Sequence, residues 1–172
     1  MVDGGSRIAS SVPDYSIFHP LSSILNPLFS ILMRLTRGAS RLIRSARTAH
    51  LATANKSGQP HVIPICFVFD GNDFYSPIDE KPKRTAPQKL KRIRNVLKNP
   101  QVSLVIDHYE ENWRKLSYVL VSGKARMLLS GTRHGKAVKL LRRKYSQYRK
   151  MRIDKLPMIL IQPKRTTSWS AM

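Results

Sequence analysis

His61-Val62-Ile63-Pro64-Ile65-Cys66-Phe67-Val68-Phe69 runs into Asp70-Gly71-Asn72-Asp73 and then Phe74-Tyr75-Ser76-Pro77-Ile78. The first and last pieces are rich in β-branched and aromatic residues, which fit a pleated, half-buried surface. The Asp/Gly/Asn cluster between them supplies the turn chemistry of a hairpin. Pro64 removes one ladder donor, so its strand must run along an edge or bulge there. A bulge would also free neighbouring backbone groups to face a ligand.

The same punctuation continues on both sides. Upstream, residues 40–47 carry Leu42, Ile43 and Ala46 at helical spacing, and residues 48–54 read as a strand stopped by Asn55-Lys56-Ser57-Gly58. Downstream, the pattern predicts a helix over 85–98, capped by Thr85 with Pro87 in its first turn and Leu90, Ile93 and Leu97 on its apolar face. Asn99-Pro100 ends it. Residues 101–107 and 116–129 follow as strands, the second crossing Gly123. A helix over 131–148 would bury Ala137, Leu140, Leu141 and Tyr145, and 157–162 is the last strand, with Trp169 beyond it. About six strands, mostly hairpin-joined and broken by helices, predict a mainly β domain, a small antiparallel barrel with helices at its openings.

With 172 residues, the chain has room for this domain and an appendage. Residues 1–37 form an N-terminal extension and 38–172 the domain. The first 16 residues are small and polar. Residues 17–35 are apolar but interrupted by Pro20, Asn26 and Pro27, too broken for the roughly 20 residues of a bilayer crossing. They suit an amphipathic helix on the domain or at an oligomer contact, or a membrane-surface helix with Arg34, Arg37, Arg41, Arg44 and Arg47 as anion contacts. No basic start followed by a small-residue cleavage site marks a secretory leader. The single cysteine, Cys66, excludes an internal disulfide and points to a reducing compartment, the cytoplasm.

Lys and Arg number 31 against 10 acids, a net charge of +21, which draws in polyanions or phosphorylated small molecules. Residues 81–98 hold eight bases and no acid, and 133–155 hold ten bases against Asp154 alone. Catalytic constellations are missing: no Ser/His/Asp setting, no P-loop, no Gly-x-Gly-x-x-Gly and no spaced carboxylate pair. One cysteine and five scattered histidines give no metal-ligand spacing, so no metal site is expected. Cys66 inside an apolar strand reads as a buried, inert thiol. His61 and His108 read as strand-end residues, with His108 beside Tyr109 able to line a pocket.

The informative basic run is Lys81-Pro-Lys83-Arg84-Thr85, leading into the helix that carries Arg92. Backbone donors and the positive end of a helix dipole favour an anion at such a start, and Lys83, Arg84 and Arg92 would make it a phosphate clamp. A solvated basic helix face is the simpler alternative. A nucleic-acid-binding protein is another, from the net charge and from Tyr145, Tyr148 and Trp113 among bases.

Taken in order, Ala49-His-Leu-Ala-Thr53, Gly58-Gln-Pro-His-Val-Ile-Pro-Ile-Cys-Phe67, Asp79-Glu-Lys-Pro-Lys-Arg-Thr85, Arg92-Ile-Arg-Asn95, Asn99-Pro-Gln-Val-Ser-Leu-Val-Ile-Asp-His-Tyr109, Trp113-Arg114, Gly123-Lys-Ala-Arg126, Leu140-Leu-Arg-Arg-Lys-Tyr-Ser-Gln-Tyr148 and Trp169-Ser170 resemble one family. It is the pyridoxamine 5′-phosphate oxidase-like split-barrel superfamily, and within it the class of probable F420-dependent oxidoreductases. The resemblance covers residues 38–170. It implies a six-stranded antiparallel split β-barrel with flanking helices, homodimeric, with FMN or F420 bound along the subunit interface. Ile63, Pro64, Ile65 and Cys66 would lie along the ring, and Tyr75, Ser76 and Pro77 would touch its edge and ribityl chain. Lys83, Arg84 and Arg92 would hold the phosphate, with Trp113 and Arg114 coming from the partner subunit. Arg92 stands where relatives often have Lys. The implied activity is hydride transfer between the cofactor and a small organic substrate, with no catalytic side chain. A flavin- or haem-binding module without turnover is the alternative, and the ending typical of true pyridoxamine phosphate oxidases is not recognisable.

Overall fold

The fold turns on a ladder that breaks at Cys66 and Phe67. The structure is a computed structural model and describes residues 35–78 and 89–171. The strand expected over 61–69 is two strands, β2 (Pro60–Ile65) and β3 (Val68–Phe69). Between them the Phe67 N–H donates to the Tyr145 hydroxyl at 3.0 Å, and the Phe67 carbonyl lies 2.8 Å from the same oxygen. A side chain has taken over backbone groups that a continuous strand would have paired with a neighbour.

The remaining strands are β1 (Ala49–Ala54), β4 (Phe74–Pro77), β5 (Gln101–His108), β6 (Ser117–Leu128) and β7 (Met158–Ser170). All pairings are antiparallel, in the order β2-β1-β5-β6-β7-β4-β3. The curled sheet is a half-barrel of seven strands, where six were expected; splitting the 61–69 strand supplies the extra one. Pro64 sits on β2, an edge strand, where a missing donor leaves no gap in a ladder. In the expected hairpin turn, Asp70 Oδ1 accepts the amides of Asn72 and Asp73 at 3.0 and 2.9 Å, and Gly71 takes a φ of 106° that favours glycine.

The last strand runs to Ser170, well past the expected end at 162. Its second half is polar, so no apolar alternation marks it, yet it pairs with β6 to Ser117. A bulge at Ser122/Gly123 bends this ladder, and a Cβ on Gly123 would stand 2.2 Å from the Gln162 carbonyl oxygen. Only glycine fits that approach.

Among the described residues, three α-helices cover the sheet. α1 (Arg37–Ser45) is capped by Thr36, whose Oγ1 accepts the Ala39 amide at 3.1 Å. α2 spans Lys91–Lys98 and does not begin at Thr85: Leu90 is extended, and its carbonyl accepts the amides of Ile93 and Arg94. Thr85 and Pro87 lie outside the described residues. Asn95 and Val96 join Ile93 on the buried face and Leu97 is exposed, against the apolar periodicity. The helix is turned by a polar contact, Asn95 Nδ2 donating to Thr53 Oγ1 at 3.0 Å in the interior. α3 (Thr132–Lys144) stops short of 148 because Tyr145 is extended, and a 3-10 turn (Ser146–Arg149) follows.

Two apolar clusters result. One, under α1 and α2, holds Ile43, Leu51, Phe67, Phe74, Leu104, Val121 and Ile159. The other, under α3, holds Tyr75, Leu141, Tyr145, Tyr148, Met158 and Leu160. Successive residues of β7 alternate between them, so both its faces are buried there and Met158-Ile-Leu-Ile161 reads as one apolar run.

Candidate functional site

The seam of the half-barrel lies where β2 leaves β4. Continuing the β3–β4 register would set Phe67 opposite Ser76 and Cys66 opposite Pro77, but pairing stops at Val68–Tyr75. The edge of β2 and the Ser76–Pro77 edge of β4 therefore flank one opening. Along β2, Ile63 and Ile65 turn inward to the first cluster while Val62 and Pro64 face out. Cys66 is half-buried in the gap, a correction to the buried thiol expected there, because the ladder that would cover it has ended. Tyr75 is 1% exposed, its ring among the residues under α3 and its hydroxyl 3.2 Å from Asp70 Oδ2. Burial, then the nearby carboxylates of Asp70 and Asp73, push that hydroxyl up to about 12. Ser76 and Pro77 are also buried and pair with Ile159 and Met158.

Beside β2 stands the start of α2, with Lys91 and Arg92 and no acid in its first turn. Their field reaches β2: burial first, then Lys91 and Arg92, hold the His61 imidazole below its ordinary value. Lys83 and Arg84 lie outside the described residues. Trp113 and Arg114 occupy a 3-10 turn (Trp113–Lys115), where Asn112 Oδ1 accepts the Arg114 amide at 3.2 Å. The registers of β1 bring Ile65 and the last residues of β5 to the same end of the sheet, and this turn follows off that end. Trp113 is 70% exposed.

The outward face of the sheet carries rows of cross-strand neighbours. One runs Pro64, His50, Val105, Leu120, Thr167; the next runs Val62, Ala52, Ser103, Ser122, Arg165. No described element covers these rows, and Val62 is 57% exposed. At their upper end Tyr118 and Trp169 stack at 5.9 Å.

A groove of about 480 Å³ lies apart from the seam, between α1 and the ends of β6 and β7. Arg41, Leu42, His108, Lys115, Tyr118 and Trp169 line it, together with several serines. His108, expected to line a pocket, does so; none of the ten described residues inferred to hold the cofactor does. Lys115 and the Tyr118–Trp169 pair escaped sequence reasoning, since only the β6–β7 register sets Tyr118 opposite Trp169. His108 and Lys115 both reach Glu110, at 3.1 and 2.7 Å.

Tyr145 and Tyr148 do not serve as stacking platforms for bases: both are buried, 5.3 Å apart, in the cluster under α3. Their role in packing removes the aromatic support for a nucleic-acid surface on that helix. Among the described residues there is no cluster of three or more metal-ligating side chains, and no helix long and apolar enough to cross a membrane.

A half-barrel split along one seam, with a basic helix start beside an edge strand, is a mainly β fold of the split-barrel kind. Residues 35–170 match the family described as pyridoxamine 5′-phosphate oxidase, and the chain belongs to that family. Among solved structures it is similar to a conserved hypothetical protein, Rv2991, of Mycobacterium tuberculosis (TM-score 0.62, 19% identity, 82% of this chain and 88% of that one). It is also similar to the haem storage protein HutZ of Vibrio cholerae (0.59, 16%, 76% and 90%) and to an F420 reductase (0.58, 19%, 77% and 98%). These identities speak for the fold alone. No curated protein matches.

Proposed function

We propose that the chain is a cytoplasmic, homodimeric oxidoreductase that holds FMN or F420 at the seam and exchanges a hydride with a small organic substrate. One observation carries this reading: the basic start of α2 lies close enough to β2 for Lys91 and Arg92 to depress His61. A phosphate needs positive charge and unpaired backbone donors, and a flat ring needs an open edge; both features meet on the edge strand β2. The residues present suit the group. Arg92, with Lys83 and Arg84, would hold the phosphate; Ile63, Pro64, Ile65 and Cys66 would border the ring; Tyr75, Ser76 and Pro77 would form the opposite side of the opening. The Tyr75 ring is interior and its backbone lies between β3 and β7, so the free strand edge on that side of the opening is that of Ser76 and Pro77.

The bound cofactor supplies hydride chemistry. The chain's own residues bind, orient and exclude water, and a second copy on the uncovered sheet face would close the site with Trp113 and Arg114. This division of labour agrees with a sequence that has no nucleophile or acid–base pair in a recognised setting.

A haem-binding module is the second reading, favoured by His61: half-buried on β2 and held neutral at pH 7, its imidazole is in the form that ligates iron. Spectra separate the two. Purified protein titrated with FMN and, separately, with F420 should quench the fluorescence of one of them saturably. A Soret shift with haemin and no response to either flavin selects the haem reading, and no response to any of the three overturns both.

A further inference from the structure

We propose that the ε-amine of Lys144 is a carbonyl-reactive group that captures small aldehydes bearing an anionic substituent, as an imine, where the end of α3 meets the break between β2 and β3. Lys144 ends α3, and its Nζ lies 4.0 Å from the centre of the Phe67 ring and 5.6 Å from that of Tyr145. The Arg47 guanidinium lies 4.6 Å over the Tyr145 ring and donates to the Lys144 carbonyl. Among the described residues neither cation pairs with a carboxylate, although Asp70, Asp73, Glu110 and Asp154 all find basic partners elsewhere. Two positive charges thus sit together over the Phe67 and Tyr145 rings, with the half-buried Cys66 nearby.

A lysine that is partly desolvated and placed beside another cation is the setting in which an amine becomes a nucleophile. Burial chiefly, then the Arg47 charge, bring Lys144 down to about 8, with Cys66 opposing. An ordinary lysine at pH 8 is well under 1% free amine, whereas about half of Lys144 would be free. The Arg47 guanidinium can hold a carboxylate or sulfonate beside the amine. In the step, the amine lone pair attacks the carbonyl carbon and the C=O π bond breaks onto oxygen. Proton transfer gives a carbinolamine, and loss of water leaves the imine. Nothing is oxidised or reduced, and no further reactant is needed. The flavin reading uses neither Lys144 nor Arg47, and the test, run on protein without added flavin, is separate from it although Cys66 borders both places.

The test uses the full chain with 4-formylbenzoate and sodium cyanoborohydride, which reduces imines and leaves thiol adducts untrapped, followed by peptide mass mapping. At pH 8 Lys144 should be modified at least about tenfold faster than the exposed Lys98 and Lys139. Between pH 8 and 9.5 its rate should rise only about twofold, against about thirtyfold for an ordinary exposed lysine. Arg47→Met, checked for fold by circular dichroism, should slow 4-formylbenzoate several-fold more than neutral benzaldehyde. Equal slowing of both probes overturns the anionic specificity. Labelling of Lys144 at the pace of Lys98, or without a plateau, overturns the proposal, and that result needs only the unmodified protein.

Discussion

The Tyr145 hydroxyl accepts a 3.0 Å hydrogen bond from the backbone nitrogen of Phe67, 78 residues away, at the point where the β2 ladder ends. The same oxygen lies 2.8 and 2.9 Å from the carbonyls of Phe67 and Arg47, so its one proton is shared between them. Burial above all pushes this hydroxyl up to about 12. Tyr145 thus ties the end of α3 to the break in the sheet. Tyr145→Phe keeps the ring and strands the buried Phe67 amide, at a cost of about 1–3 kcal/mol. Urea denaturation should show that loss, and amide exchange at Phe67 should accelerate more than at Leu51. Unchanged exchange would mean that water or a backbone shift replaces the hydroxyl.

How much of this was legible beforehand differs from element to element. Strand alternation, the Asp70–Asp73 turn and the edge position of Pro64 follow from local chemistry, and the structure has all three. The features that shape the seam do not. The 61–69 strand reads as continuous because the group that breaks it arrives from α3. The buried face of α2 reads as Leu90, Ile93 and Leu97 because the Asn95–Thr53 bond is invisible to apolar periodicity. The second half of β7 is polar, and only its pairing with β6 makes it a strand. Of the inferred site, the β2 and β4 residues flank one opening and Arg92 stands near β2, but that Tyr75 faces inward could be learned only from the register with β7.

Gly123→Ala should be severe. The added methyl meets a backbone carbonyl at 2.2 Å, not a flexible side chain, so β6 and β7 would have to separate at their bulge. A loss of about 3 kcal/mol or more, or failure to fold, is expected: overpacking typically costs about 1–3 kcal/mol and occasionally more, and here the obstacle is backbone, which cannot give way by rotamer. Gly135→Ala is the matched control: it lies within α3 with open space around it, and should raise stability by up to about 1 kcal/mol. Thermal unfolding of the pair measures both signs at once.

Lys144 carries a pH signature. Its folded value near 8 lies below the ordinary 10.5, so between these pH values the unfolded chain binds more protons and stability rises with pH. Below about 8 the lysine is charged in both states and the penalty is fully present. Desolvation outweighs the cation–π contact with Phe67, which contributes about 0.5–2 kcal/mol. Lys144→Met should therefore raise stability by on the order of 1 kcal/mol at pH 7, and the gain should fade by pH 10.5. A gain that persists unchanged at pH 10.5 would assign it to packing.

The uncovered rows on β1, β2, β5 and β6 predict association with a second copy. Val62→Asp places a charge on the edge strand of that face, beside Ala52, and unpaired charge buried at an interface is costly. Sedimentation at micromolar concentration should show a dimer for the native chain and a shift toward monomer for the variant, with circular dichroism unchanged. A native chain that sediments as a monomer with cofactor bound would end the homodimer reading.

The phosphate assignment makes the sharpest prediction about the seam. A charge-assisted hydrogen bond contributes roughly 1.5–3 kcal/mol, so Lys83→Ala, Arg84→Ala and Arg92→Ala should each weaken FMN or F420 binding about tenfold to a hundredfold. Controls belong on α3, but Arg142 is a poor one. It bonds the Tyr148 and Met151 carbonyls and pairs with Asp154 at 2.7 Å, so removing it would disturb packing. Arg143 and Lys139 are exposed on the same helix, and their alanine variants should leave affinity within about twofold. Binding to single-stranded RNA gives the contrary signature: all five variants would lower it similarly, with a steep dependence on salt. If flavin affinity is untouched at Lys83, Arg84 and Arg92 while RNA binding falls in both sets, the basic start of α2 is a polyanion surface and the oxidoreductase reading loses its physical support.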